Sequence, residues 1–156
     1  MFILIRFYKY RHIAAAAALF LCCSCAGISA LWEDRPPEPF EKNNILFVSQ
    51  PKDFDSVVER AAGLVVVCFT DKYCRSCKIY APAFRKAATV LVVRRDVRFI
   101  SVDTYYNTES ALKCGVEGIP TTVFIKNGRR LGVFTGPIKK ETLIEKIQDV
   151  LGPQGK

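Results

Sequence analysis

The chain has 156 residues, 50% of them hydrophobic and 24% charged, which is the composition of one globular domain and excludes a disordered or fibrous protein. Its formal charge is +8, yet Arg6, Lys9 and Arg11 stand among the first thirty residues without an acid, so residues 31–156 keep 20 basic against 15 acidic groups, an excess of +5. With no basic stripe interleaved with aromatics and no recognisable binding module, that excess marks a solvated basic face rather than a nucleic-acid site.

In chain order, the three basic residues precede an apolar stretch, Ile13–Leu21, too short to span a bilayer as a helix. Residues 1–30 therefore read as an export leader, with small residues offering cleavage after Ala26 or Ala30. The apolar start Met1–Ile5 leaves an uncleaved membrane anchor as the alternative. Cys22, Cys23 and Cys25 raise lipid attachment, although only Cys25 follows a small residue, Ser24. Removal of the leader leaves Cys68, Cys74, Cys77 and Cys114 in an oxidising compartment.

Residues 31–43, with three prolines and little periodicity, read as an extended tether, and the domain is expected over 44–156. Ile45–Val48 suits a strand, and Phe54, Val57, Val58 and Ala61 recur at helical spacing behind Pro51. Leu64–Thr70 is a continuous β-branched and aromatic run, expected at the centre of a sheet buried on both faces. A helix through Ile79, Phe84, Ala87 and Leu91 follows, interrupted and bent at Pro82 and favoured at its end by Arg94 and Arg95. Val97–Val102 reads as a strand, Thr108–Cys114 as a short helix stopped by Gly115, and Thr121–Lys126 with Arg130–Phe134 as a hairpin about Asn127-Gly128. Leu143, Ile144, Ile147, Val150 and Leu151 trace the apolar face of a last helix. The order β-α-β-α-β-α-β-β-α predicts an α/β fold with a mixed sheet covered by helices on both faces.

The feature that carries chemistry is Cys74-Arg-Ser-Cys77, at the junction of the buried strand and the helix. A spacing of three puts the two thiols one turn apart on one face, within reach of a disulfide if Cys74 occupies the non-helical start. Unpaired N–H groups, the helix dipole and the charges of Lys72, Arg75 and Lys78 should hold the first thiol below its free pKa of about 8.5. Cys74 is thus the candidate nucleophile, and Cys77, inside the first turn, the shielded resolving thiol. A zinc site would need four ligands, but there is no second C-x-x-C and His12, the only histidine, lies in the leader. A structural disulfide would close the loop that constrains an unfolded chain least. Cys68 reads as a small buried core residue, and Cys114 as an inert thiol rather than a second redox site.

Tyr73-Cys-Arg-Ser-Cys-Lys78, Pro82, Gly118-Ile-Pro120, Lys126-Asn-Gly128 and Gly136 together resemble the landmarks of thioredoxins over residues 44–152, and among them exported, Dsb-type thiol:disulfide oxidoreductases. The resemblance implies a thioredoxin fold and a cis-proline at Pro120, facing the disulfide, where neighbouring Ile119 can pair with substrate backbone. It places Tyr73, Arg75, Ser76 and Ile119 at the substrate-binding surface, Tyr73 being as readily a core residue. This chain departs from the family in three places: Arg75-Ser76 replaces Gly-Pro, Cys68 stands where thioredoxins have a buried aspartate, and Phe99 where they have a lysine.

The 46-residue separation of Cys74 and Pro120 leaves no room for the helical insertion of exported oxidases or the added segment of cytochrome-maturation proteins, and the tether is too short to be a dimerisation domain. The reading is a monomeric periplasmic protein disulfide reductase. It needs no cofactor beyond the Cys74–Cys77 disulfide and no metal, acts on disulfide-bonded exported proteins, and is recharged by a membrane dithiol donor. Alternatives are an isomerase or oxidase of exported proteins, or a peptide-binding module without redox function.

Overall fold

The computed structural model describes residues 37–152; the leader, its cysteines and residues 31–36 of the tether lie outside the described residues. Phe40–Lys42, expected to belong to the tether, instead form an edge strand, β1, paired antiparallel with β2 (Ile45–Val48). Asn43 and Asn44 turn the corner at φ 55° and 61°, in the left-handed region that asparagine tolerates. Phe40 stacks on Phe47 with ring centroids 4.8 Å apart. A three-residue strand behind prolines carries too little alternation to be read, so the folded unit starts earlier than Asn44.

The remaining elements are α1 (Pro51–Glu59), β3 (Leu64–Thr70), α2 (Arg75–Val90), β4 (Val97–Asp103), α3 (Thr108–Lys113), β5 (Thr121–Lys126), β6 (Arg129–Thr135) and α4 (Lys140–Leu151). The six strands lie in the order β1-β2-β4-β3-β5-β6. β2, β4 and β3 run parallel, while β5 pairs antiparallel with β3 and with β6, so the sheet is mixed. β3 lies inside it because its side chains are apolar on both faces. Leu64, Val66 and Cys68 meet Tyr80 and Phe84 of α2 and Leu143 and Ile147 of α4. Val65, Val67 and Phe69 meet Phe54 of α1 and Ala111 of α3. The strand period of two thus feeds two separate cores, one under each helical layer.

α2 runs unbroken across Pro82, contrary to the expected interruption. A proline deletes one backbone hydrogen bond, and buried Tyr80 and Phe84 on either side hold the helix to the sheet through it. Arg94 and Arg95 fall beyond the C-cap Leu91, and Arg94 pairs with Asp96 at 2.6 Å instead of serving the helix end. The Asp96 carbonyl accepts the Leu64 N–H at 2.8 Å and lies where a Cβ on Gly63 would collide with it. This close approach pins the start of β3 to the turn before β4. Because β3 and β4 are parallel, their C-terminal ends share one edge of the sheet, and the loops that follow them meet there.

Candidate active site

At that edge the Thr70 carbonyl accepts the Thr104 N–H at 2.9 Å and its hydroxyl at 3.1 Å, tying the end of β3 to the end of β4. The Asp71 side chain then accepts the Tyr73 N–H at 2.6 Å, and its carbonyl the Cys74 N–H at 3.2 Å. This turn delivers Cys74 to the N-cap of α2 in extended conformation, φ −73° and ψ 113°. Its sulfur accepts the Cys77 N–H at 3.1 Å, doing the work usually given to a capping oxygen. Cys74 and Cys77 form a disulfide with S–S 2.09 Å and Cα–Cα 5.2 Å.

The two sulfurs differ in access. Cys77 is 4% exposed, whereas Cys74 is only partly buried. The Ile119–Pro120 peptide bond is cis, and the Ile119 carbonyl oxygen lies 3.9 Å from the Cys74 sulfur. The Ser76 hydroxyl lies 3.2 Å from that sulfur and 3.5 Å from the same carbonyl, bridging the α2 start to the turn before β5. Pro120 is buried and its carbonyl accepts the Gly136 N–H at 2.7 Å, fixing the turn from behind. The fold therefore gathers Cys74, Ser76, Cys77, Ile119 and Pro120 within one small region.

Tyr73 and Arg75 flank it. Tyr73 is 75% exposed, so it belongs to the surface beside the sulfur and not to the core. The Lys72 ammonium sits over the Tyr73 ring at 4.9 Å and over the Tyr105 ring at 5.5 Å, and Tyr105 meets Tyr106 edge-on at 4.8 Å. Sequence reasoning passed over this tyrosine pair. The available signal was topological, since two aromatics directly after a strand parallel to β3 must emerge beside its C-terminal loop. Burial holds the Asp103 carboxyl, at the root of the same loop, above its ordinary range, partly offset by the Tyr105 N–H that it accepts at 3.0 Å.

Below the disulfide the interior is nearly free of charge. Burial pushes the Cys68 thiol up to about 12, so it stays protonated through the physiological range. Tyr80 donates or accepts a 2.8 Å bond with Thr122, the residue opposite Cys68 across the β3–β5 ladder, and burial also pushes the Tyr80 phenol upward. Phe99 packs edge-on against Phe84 at 5.3 Å in the same cluster. Cys114 is buried on the other layer, and burial raises its thiol as well. Among the described residues no group of three or more potential ligands converges as a metal site. A cavity of about 390 Å³ lies between the β1–β2 turn and the end of α2, lined in part by Leu91, Arg94 and Phe99. It opens at the start of β4, the opposite end of the strands from the disulfide, and has no access to the sulfurs.

The chemistry available is exchange at an accessible sulfur that meets two donors, one backbone N–H and one hydroxyl. Hydrogen bonds to a charged acceptor are roughly twice as strong as neutral ones. Ser76→Ala should therefore move the pH profile of Cys74 alkylation upward and slow the reaction at neutral pH by about five- to tenfold, since about 1.4 kcal/mol is a factor of ten. Iodoacetamide labelling of the reduced protein across pH 5–10 checks this; coincident profiles would remove Ser76 from the site.

Residues 45–149 match the family model described as Thioredoxin. Protein disulfide-isomerase A3 of Gallus gallus is 33% identical over 101 residues, covering 65% of this chain and 20% of that protein. Thioredoxin of the same species is 36% identical over 101 residues, covering 64% of this chain and 91% of that one. The chain thus spans about a fifth of the length of the first relative and nearly all of the second. The crystal structure of thioredoxin from Trypanosoma brucei brucei superposes with a TM-score of 0.61 at 26% identity, over 76% of this chain and 95% of that one.

Proposed function

The chain belongs to the thioredoxin family and is a thiol–disulfide oxidoreductase, and from that premise we propose that it works outside the cytoplasm as a protein disulfide reductase. The observation that carries the reading is the Cys74–Cys77 disulfide at the start of α2, with its two sulfurs unequally exposed. In the dithiol form the Cys74 thiolate attacks one sulfur of a substrate disulfide. A Cys74–substrate bond forms, the substrate S–S bond breaks, and the departing thiolate takes up a proton. Cys77 then loses its proton and attacks the Cys74 sulfur, closing the disulfide and releasing the second substrate thiol. Two electrons and two protons pass to the substrate. The Ile119 carbonyl and cis Pro120 receive the substrate backbone beside the reacting sulfur, with Tyr73, Arg75 and Ser76 forming the surrounding contact surface.

Export is supported by the basic and apolar pattern of residues 1–30, and export in turn calls for a membrane dithiol to return Cys74 and Cys77 to the reduced state. The protein acts as a monomer on disulfide-bonded exported proteins. A second reading, isomerisation, is favoured by the likeness to protein disulfide-isomerase A3 and by the loss of Gly-Pro between the cysteines. Equilibration with glutathione separates the two. A potential near about −270 mV together with rapid insulin reduction supports the reductase, and one near about −180 mV with rescue of scrambled disulfides replaces it by the isomerase.

A further inference from the structure

Helix α2 is anionically empty. It carries Arg75, Lys78, Arg85 and Lys86 and not one acidic side chain, although the exported part of the chain as a whole is only mildly basic. Arg85 and Lys86 are exposed, and among the described residues neither makes an ion pair. Between this side of α2 and the start of α4 runs a shallow groove of two joined parts, about 300 Å³ and 360 Å³, which share Pro82, Lys86 and Lys140. Its apolar contributors are exposed: Ile79 is 66% accessible at the end near the disulfide and Val90 is 54% accessible at the far end. Glu141, the one acid on the rim among the described residues, is already held by Lys140 at 3.1 Å. Aliphatic side chains left in water beside two cations, Arg85 and Lys86, that have no acidic partner among the described residues form a surface with a partner missing.

Resting on the reductase reading above, we infer that this groove seats an acidic, aliphatic-bearing segment of the disulfide-bonded protein substrate, next to the cysteine being reduced. Ile79 lies five residues along α2 from Cys74, about 7.5 Å at 1.5 Å per residue, and the groove then continues about 16 Å to Val90. Extended chain covers about 3.3 Å per residue, so the segment begins within about three residues of the substrate cysteine and is about five residues long. Alternation suits it, with every second side chain toward Ile79, Pro82 and Val90 and the intervening carboxylates toward Arg85 and Lys86. Charge complementarity of this kind raises the rate of productive encounter and is weakened by salt.

The test uses the full-length reduced protein and three disulfide-bridged peptides identical except for a five-residue flank: alternating Glu and Leu, the same with Gln for Glu, and the same with Lys for Glu. At low ionic strength kcat/KM should be about tenfold higher for the Glu peptide than for the Gln peptide, lowest for the Lys peptide, and the preference should fall below about twofold at 0.5 M salt. The combined change Arg85→Glu and Lys86→Glu should abolish the preference while reduction of oxidised 2-mercaptoethanol stays unchanged. Equal rates on all three peptides, or a preference that survives the charge reversal, overturns the inference. So does retention of the protein on vesicles of phosphatidylglycerol and phosphatidylcholine with no preference among the peptides, which would give the surface to an anionic membrane. If the protein reduces neither peptide nor small disulfide, the reductase reading fails instead. Fluorescence anisotropy with a cysteine-free Glu-Leu peptide then still decides the groove, by binding to the native protein and its loss in the reversed variant.

Discussion

Cys77→Ala should convert the protein from a catalyst into a covalent trap. With the inner thiol gone, Cys74 can still attack a substrate disulfide, but nothing one turn away can displace the product, so turnover in insulin reduction should fall by about 10³-fold or more. Non-reducing electrophoresis should show adducts that dithiothreitol dissolves, and mass spectrometry should place the linkage at Cys74. The expectation follows from access: Cys77 is 4% exposed and sits behind its partner, whereas the Cys74 sulfur is partly open. Cys74→Ser should be equally inactive yet form no adducts, because the remaining thiol is shielded. Adducts with Cys74→Ser and none with Cys77→Ala would reverse the order of attack, and activity in either variant would remove the dithiol from the mechanism.

The chemistry was legible before the structure because it is local. A C-x-x-C pair between a buried strand and a helix needs only the helical period to bring its sulfurs together, and Leu64–Thr70 announces its strand by being apolar at every position but the last. The long elements follow from the same kind of signal, and their limits shift by only a few residues. What the sequence hides is contact across elements. Nothing in the order Arg75-Ser76 says that the serine hydroxyl turns toward the Cys74 sulfur and the Ile119 carbonyl, which requires the turn before β5 to be packed against α2. Tyr105 and Lys72 are 33 residues apart and meet only because β3 and β4 are parallel and end together. Pro82 misleads for the converse reason: its local cost is real, and the packing of Tyr80 and Phe84 that outweighs it is not local.

Cys68→Asp restores the side chain that thioredoxins carry at this position, and it should damage this protein. The site is 6% exposed, within a cluster that includes Tyr80, Phe84 and Phe99, and the buried polar side chains among the described residues are hydroxyls and one amide, with no cation among them. A carboxylate there would lose its hydration with no charge to meet it, since Phe99 occupies the place where thioredoxins have a lysine. Burial of this kind raises a carboxyl pKa by about 3 units or more, and each unit is about 1.4 kcal/mol. The folded state would then hold its proton where the unfolded chain, with a pKa of about 3.9, has released it. Stability should therefore be close to wild type below about pH 4 and fall as pH rises above that value, reaching a loss of about 4 kcal/mol by pH 7. Urea unfolding of both proteins from pH 3.5 to 7.5 reads the difference directly. Adding Phe99→Lys should return part of the loss at pH 7, because a buried pair costs far less than a buried single charge. A Cys68→Asp variant as stable as wild type at pH 7 would mean that water reaches this layer of the core. The thiol at 68 and the ring at 99 would then no longer account for each other, and the uncharged floor under the disulfide would have to be abandoned.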